Sequence, residues 1–371
     1  MIVRRDAKDL KPKEKTAFTS AVLALKAKPS ILHPSDKTRG RYDDFVETHL
    51  NAMMAMSMGH VPNWGHLSSA FGPWHRVLLY HFESELRAID SSVTLPYWDW
   101  TDPASTSAVF SSGLLGGNGR SSDGQVMTGP FAFSKGKWKV VVKDEKSDPD
   151  FLARRFGADP SAAALPATAD QQAVMALTEY DESPWYDSQR KTAAQRKAVD
   201  KLFRFRLEYD LHNLVHRYIG GDMALASSPN DPVFWLHHCN LDRLWSLWES
   251  AQPAAKAYAP MHGGPDGQSG DTALIYAFAN STPPWVGSAK PQDVYDSRAQ
   301  IGIGYATDPA STHLAVSPPE RMSMPMNPKA MYPLRKEFHD ASTHAREMFP
   351  LRSEFKEAPP NSASRKKTRS H

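Results

Sequence analysis

Leu211-His212-Asn213-Leu214-Val215-His216, followed after a short linker by Asn230-Asp231-Pro232-Val233-Phe234-Trp235-Leu236-His237-His238-Cys239-Asn240, decides how this chain is read. Helix positions four apart stand on one face with Cβ atoms about 5–6 Å apart, so His212 and His216 can offer two nitrogens to one ion. Alone the pair is weak evidence, because satisfied histidines also occur at that spacing. Asp231 as N-cap and Pro232 at the first helical position launch a second helix. On it His238 shares a side with Phe234, Leu241 and Trp245, and an imidazole among such neighbours needs a partner, which a metal ion supplies. His237 points about 100° away from His238 and reads as structural.

A matching trio lies nearer the N-terminus. His49 sits in a helix expected over about 41–58, His66 in a linker with Gly59, Pro62 and Gly65, and His75 just after Phe71-Gly72-Pro73-Trp74 at the start of a third helix. Before them, Phe18, Val22 and Leu25 recur at helical spacing within 9–30. Residues 101–135 read as surface loop, Trp138–Val142 as a short strand, and 169–180, 196–218 and 231–250 as helices. The fold class is therefore mainly α. Its four-helix-bundle core carries long loops, minor β structure and a C-terminal extension. The expected division is a domain over 1–307 with an insertion at about 101–195, then an extension over 308–371 whose basic tail starts near 359.

Composition removes several classes. A net charge of +3 is small for 371 residues, and the cluster Arg365-Lys366-Lys367 with Arg369 follows a Pro-rich stretch as a solvated tail. Neither a nucleic-acid partner nor a membrane partner is expected, since no docking motif and no run of about 18 apolar residues is present. The start Met1-Ile2-Val3-Arg4-Arg5-Asp6 shows no apolar export stretch, so the expected address is cytoplasmic. A single cysteine, Cys239, excludes internal disulfides and cysteine-rich zinc sites, leaving the fifteen histidines to build any metal centre.

Two sites of three imidazoles would each leave a metal an open position. Ligand sets made only of neutral imidazole suit copper, zinc, iron or nickel, with copper at the top of the affinity order. Zinc hydrolases and iron oxygenases normally add a carboxylate ligand, and no such signature accompanies these histidines.

The stretches Tyr42-Asp43-Asp44-Phe45-Val46-Glu47-Thr48-His49, His66 through Arg76, Leu95-Pro96-Tyr97-Trp98-Asp99-Trp100, His212 through His216 and Asn230 through Trp245 closely resemble the tyrosinase family of binuclear copper proteins, above all its bacterial tyrosinases. Asp293-Val294-Tyr295-Asp296 with Gly304-Tyr305 resembles the segment that closes the family domain. The resemblance implies two copper ions per chain, one on His49, His66 and His75 and one on His212, His216 and His238. His60 is the rival within the first trio. It implies dioxygen and small phenols or catechols as partners, with self-association left open. The implied reaction is ortho-hydroxylation of monophenols and oxidation of o-diphenols to o-quinones. The alternative is an oxidase confined to catechols or o-aminophenols, and a more distant one is an oxygen carrier.

Some members join a cysteine to the middle ligand of the first copper. Trp64 stands two before His66 here, so that thioether should be missing. Asn213 resembles the residue that holds a water against a glutamate, a role for which Glu208 is the candidate; Glu208 could equally be a surface carboxylate paired with Arg204. Arg217 is a candidate for steering carboxylated substrates or for capping its helix end. Leu225 and Ser228 are expected near the substrate entrance, and Trp98, Trp100, Trp245 and Trp248 as core. The Met53, Met54, Met56 and Met58 run is expected to be core filler. Tyr332 and Phe338 are candidates for an aromatic plug supplied by the extension.

Overall fold

Phe82 of one helix lies flat on Trp235 of another, with ring centroids 3.6 Å apart and planes 3° from parallel, and the helical core is assembled around this contact. The computed structural model describes residues 1–54, 65–252, 258–265, 267–274, 289–308 and 348–357. Helix α1 (Pro12–Ala27) buries Phe18, Val22 and Leu25 and leads to α2 (Arg41–Met54). Helix α3 (Phe71–Ile89) has Pro73 in its first turn, where a missing N–H costs nothing. Phe45 of α2 meets Phe82 at 5.5 Å and Trp235 at 5.8 Å, both edge-on, so one aromatic cluster joins three helices.

The insertion contributes α4 (Pro103–Val109) and α5 (Thr168–Met175), and α6 (Ala193–Ala198) comes after it. The long helix expected over 196–218 is broken. A 3₁₀ turn at Val199–Lys201 precedes α7 (Phe203–Arg206), a π-helical turn spans Leu207–His212, and α8 (Asn213–Ile219) completes the run. A π turn inserts one residue and rotates the helix beyond it, a device common at functional sites. Helix α9 (Val233–Ala251) carries Trp235 and the second His pair. Asp231 accepts the Val233 N–H at 3.0 Å, but it stands one residue before the cap position, which Pro232 occupies, so the helix starts one residue later than the sequence suggested. Its carboxylate is also gripped by Arg154 of the insertion at 2.6 and 2.7 Å, with both side chains fully buried.

Trp138–Val142 forms no strand, which corrects the sequence reading. Trp138, Val140 and Val142 are buried, so the apolar alternation is real. The segment's backbone bonds go singly to Asp150 O and Asn230 Nδ2, and no neighbouring strand forms a ladder with it. Among the described residues the two strands form a parallel pair, β1 (Ile2–Arg4) with β2 (Ile303–Tyr305), in the register Ile2 to Ile303 and Arg4 to Tyr305. Short α10 (Ser297–Ile301) leads into β2, and α11 (Arg352–Glu357) ends the described chain.

A buried charge network locks these pieces together. Arg4 donates to Glu83 at 2.8 Å, Asp242 at 3.1 Å and the Tyr305 hydroxyl at 2.9 Å. Arg76 reaches Asp242 and Glu249, then caps the Val294 and Tyr295 carbonyls at 2.6 and 2.9 Å. Such a lattice adds little net stability over an apolar one, but losing one member strands the rest. Trp98, Trp100, Trp245 and Trp248 are all buried, as core packing requires. Met53 is core as expected; the side chain of Met54, and Met56, Met58, His60, Trp64, Tyr332 and Phe338, lie outside the described residues. Among the described residues, no helix is long and apolar enough to cross a membrane.

The Phe82→Ala variant should lose about 3–5 kcal/mol of stability through the cavity it leaves between α2, α3 and α9. Urea unfolding followed by far-UV circular dichroism measures this, and an unchanged midpoint would show that the stack is not central to the core.

Candidate dicopper centre

His49 comes from α2, His66 from the turn before α3, and His75 from α3. His212 ends the π turn, His216 lies on α8 and His238 on α9. All six are buried and lie against one another: His75 stacks on His238 with centroids 4.3 Å apart, and His66 stands 5.1 Å from His212. The two expected trios therefore face each other.

Their tautomers are set by their partners. His49 Nδ1 lies 2.8 Å from Ala226 O, His75 Nδ1 2.9 Å from Phe71 O, and His216 Nδ1 2.7 Å from Met223 O. A carbonyl oxygen can only accept, so Nδ1 carries the proton in each and the lone pair sits on Nε2. His212 donates its Nδ1–H to Asn213 Oδ1 at 2.7 Å, an orientation supported by the Asn213 amide group donating to Pro350 O at 2.5 Å.

The Nε2 atoms converge. Those of His49 and His66 are 3.2 Å apart, and those of His216 and His238 are 3.4 Å apart. His75 Nε2 and His212 Nε2 are buried without a hydrogen-bond partner. An orphaned buried acceptor costs about 1–3 kcal/mol, and a cation among these lone pairs removes that cost. Burial keeps the rings neutral, the state a ligand needs: it pushes His49 down to about 4 and His216 to about 3, and holds His66, His75, His212 and His238 well below the ordinary histidine range.

His237 also lies in the second cluster, stacked on His212 at 5.2 Å. Trp100 Nε1, a donor only, points at His237 Nδ1 at 2.9 Å. That lone pair is therefore used, the proton sits on Nε2, and His237 is a packing neighbour of the ligands, as its direction on the helix suggested.

The donor set is six imidazoles in two groups of three, which fits copper. Residues 39–251 match the family model Tyrosinase, described as the common central domain of tyrosinase. The chain belongs to the tyrosinase family. It is 41% identical over 271 residues to a tyrosinase of Streptomyces antibioticus, covering 72% of this chain and 89% of that protein. A tyrosinase of Streptomyces glaucescens is 37% identical over 304 residues, covering 81% and 97%. In fold it is similar to a polyphenol oxidase of Thermothelomyces thermophila, with a TM-score of 0.54 at 22% identity over 82% of this chain and 88% of that one. The family membership and the paired triads make this a copper-dependent oxidase of phenols that acts with dioxygen.

The other sequence candidates have definite places in this tyrosinase fold. Glu208 is fully buried; its Oε1 accepts the Leu67 N–H at 2.7 Å and lies 3.3 Å from His66 Nδ1, and its Oε2 accepts from Arg204 at 3.1 Å. Burial pushes its carboxyl up to about 8. The expected pairing with Arg204 is thus present but in the interior and not at the surface, because both side chains are packed beneath the turn before α3, and it comes with a contact to a copper ligand. The Arg217 guanidinium is buried against Asp159 at 2.7 Å, Ser161 at 2.5 Å and Glu354 of α11 at 2.6 Å. Ser228 is fully buried and Leu225 half-buried. Cys239 donates its thiol to Leu95 O at 3.7 Å, and burial raises the thiol to about 12.

Sequence reasoning missed the loop at 220–230 as the holder of ligands. Its Met223 and Ala226 carbonyls orient one imidazole in each triad, and Asp144 of the insertion accepts the Ala226 and Ser227 N–H groups, each at 2.9 Å. Gly221 permits the loop's path: at φ +56° an added Cβ would meet Ala153 O at 2.1 Å. Phe349 was missed too. It is fully buried, stacked on His216 at 4.0 Å and 12°, and stands 5.7 Å from His212.

Linkage gives a pH prediction. Unfolded histidine titrates near 6.5. Between about 3 and 6.5 the unfolded chain therefore binds more protons than the native one, and stability must rise with pH across that window. Glu208 and Asp222, each raised to about 8, and Glu249, pushed well above the ordinary carboxylate range by burial, oppose this above about 4, but the seven clustered imidazoles outnumber them. Metal-free protein should lose stability as pH falls below about 6.5, and thermal melts from pH 7.5 to 4.5 test it; a flat or rising profile on acidification would refute neutral buried imidazoles.

Proposed function

We propose that the chain hydroxylates monophenols ortho to their hydroxyl and oxidises o-diphenols to o-quinones, with residues 348–357 acting as a cover over the copper site. The observation that carries the chemistry is the convergence of Nε2 lone pairs within each of two buried triads that pack against each other. Two copper ions held by His49, His66 and His75 and by His212, His216 and His238 would supply the redox couple that uses dioxygen. The protein's own part is to keep six rings neutral and oriented, and to position a phenol beside them in a space closed to water. The curated relatives that carry the name tyrosinase support reaction with monophenols.

One observation favours the narrower reading, oxidation of catechols or o-aminophenols alone. A monophenol must lose its proton on approach, and the residues expected to assist are engaged. Glu208 serves Leu67, His66 and Arg204, while Asn213 serves His212 and Pro350. Displacement of the cover would free the Asn213 amide group.

The cover reading rests on four contacts. Phe349 stacks on His216, Pro350 O accepts from Asn213, Glu354 pairs with Arg217, and Phe355 packs edge-on against Phe205 at 4.9 Å. The candidates for substrate handling are therefore held by the chain's own C-terminal segment.

The test is oxygen uptake by copper-loaded full-length protein with a monophenol and with its catechol, before and after Phe349→Ala. Removing a buried phenyl group should cost the closed arrangement about 1.5–3 kcal/mol, raising the open fraction and catechol turnover about tenfold to hundredfold. Turnover of both substrates supports the broad reading and turnover of catechol alone the narrow one. Equal rates for Phe349→Ala and the parent would remove the cover from the account, and absence of turnover in both would remove the phenol oxidase.

A further inference from the structure

Leu67 has φ +53°, and among the described residues it is the one non-glycine residue with positive φ. A left-handed backbone costs a branched residue roughly 1–2 kcal/mol, and such strain persists only where the surroundings impose it. Here the constraint is visible on both sides. The Leu67 N–H donates to Glu208 Oε1 at 2.7 Å, and the Leu67 carbonyl accepts the Asp187 N–H at 2.9 Å.

The two jaws of this clamp are tied to each other. Arg204 donates to Asp187 through both terminal nitrogens at 2.7 Å and to Glu208 Oε2 at 3.1 Å. Its Nε donates to Asp181 at 2.9 Å, and Arg190 braces Asp181 at 2.8 Å and Asp187 at 3.2 Å. All five of these charged side chains are buried. A closed circuit therefore runs from Leu67 through Glu208, Arg204 and Asp187 back to Leu67, and the residue it distorts directly follows His66.

The same Glu208 oxygen that takes the Leu67 N–H stands 3.3 Å from His66 Nδ1. The carbonyls of Ala226, Phe71 and Met223 set three of the other rings. At His66 no carbonyl among the described residues plays this part; the carboxylate delivered by the π turn stands beside Nδ1, within ion-pair distance but outside hydrogen-bond geometry. We propose that Glu208, held by the Arg204 lattice and the strained Leu67 turn, is a positioning residue that keeps the His66 proton on Nδ1 and presents Nε2 to the first copper.

On this assignment Glu208 acts through His66 and not on the substrate. The π turn contributes directly, because it sets the register that carries Glu208 back to the turn before α3 while His212 faces the other ligands. The inference rests on the reading of the triads as copper sites, but half of its test needs no copper.

Histidine-selective ¹⁵N labelling of the metal-free full chain should show His66 as the Nδ1–H tautomer, and in Glu208→Gln the ring should shift toward Nε2–H or a mixture. Copper titration of the same variant should show first-site affinity weakened about tenfold to hundredfold, the range for lost partners of metal ligands, while second-site affinity holds. Monophenol and catechol turnover at fixed low copper should fall together. Glu208→Asp retains the charge beside Arg204 but withdraws the oxygen, so it should show the same first-site weakening with an unchanged circular dichroism spectrum.

Unaltered His66 tautomer and unaltered first-site affinity in both variants would overturn the proposal. So would two tightly held coppers combined with loss of monophenol turnover alone, which would make Glu208 a proton acceptor. If the wild-type chain bound no copper while the tautomer shift appeared, the copper reading would fail and the assignment of Glu208 as the group that sets the His66 tautomer would stand.

Discussion

Everything in this molecule depends on buried imidazole lone pairs pointed at one another. In water such groups would turn away and each find a hydrogen bond; here Nδ1 of three rings is pinned by backbone carbonyls and of a fourth by an asparagine, so Nε2 has nowhere else to face. The arrangement is unfavourable without a cation, because acceptors are desolvated and set against acceptors. A fold can hold it only if its packing is stiff enough to refuse the relaxations that would relieve it. The flat Phe82 and Trp235 stack, the Arg4 and Arg76 lattices and the Arg154 and Asp231 pair supply that stiffness on three sides. Part of the folding free energy is thus held in reserve at the site, and metal binding recovers it.

The ligands were legible in the sequence because each sits in a regular context. His212 and His216 lie four apart, Asp231 and Pro232 mark a helix start, and apolar periodicity tells which face of α2, α3 and α9 is buried. The partners of those ligands were not legible. Met223 and Ala226 act through carbonyl oxygens that every residue possesses, so their side chains give no sign of the role. The helix expected over 196–218 proved to be α, π and α in succession, and hydrophobic periodicity is too coarse to register a single inserted residue. The expected strand at 138–142 failed for a related reason: alternation reports which side is buried, but a strand also needs a neighbour to pair with, and that is a property of the whole chain.

Glu208 shows how one side chain can invite two readings of its sequence position. Spacing made it half of a surface i,i+4 pair with Arg204, and the family resemblance made it the glutamate that holds a water with Asn213. The structure shows the pair, though buried, with one oxygen facing the guanidinium and the other facing Leu67 and His66. A charged lattice in a protein interior is a poor source of stability. Its value is directional, since a carboxylate fixed by two donors cannot swing, and the ring beside it inherits that restriction.

The C-terminal segment approaches the imidazole cluster from the outside, and the chemistry of its contacts is suited to occupying a metal site without competing for it. Phe349 brings a phenyl ring that has no lone pair to offer copper, so it can fill space against His216 while the imidazole nitrogens stay directed inward. Pro350 offers a carbonyl and Glu354 a carboxylate, and these engage Asn213 and Arg217, both one residue removed from ligands. A plug built the other way round, with a carboxylate at the position of Phe349, would enter the donor set and change the metal chemistry. On the proposed cover reading, apolar filling at the centre with polar fastening at the rim would let one surface be closed and reopened while the six nitrogens beneath it keep their orientation.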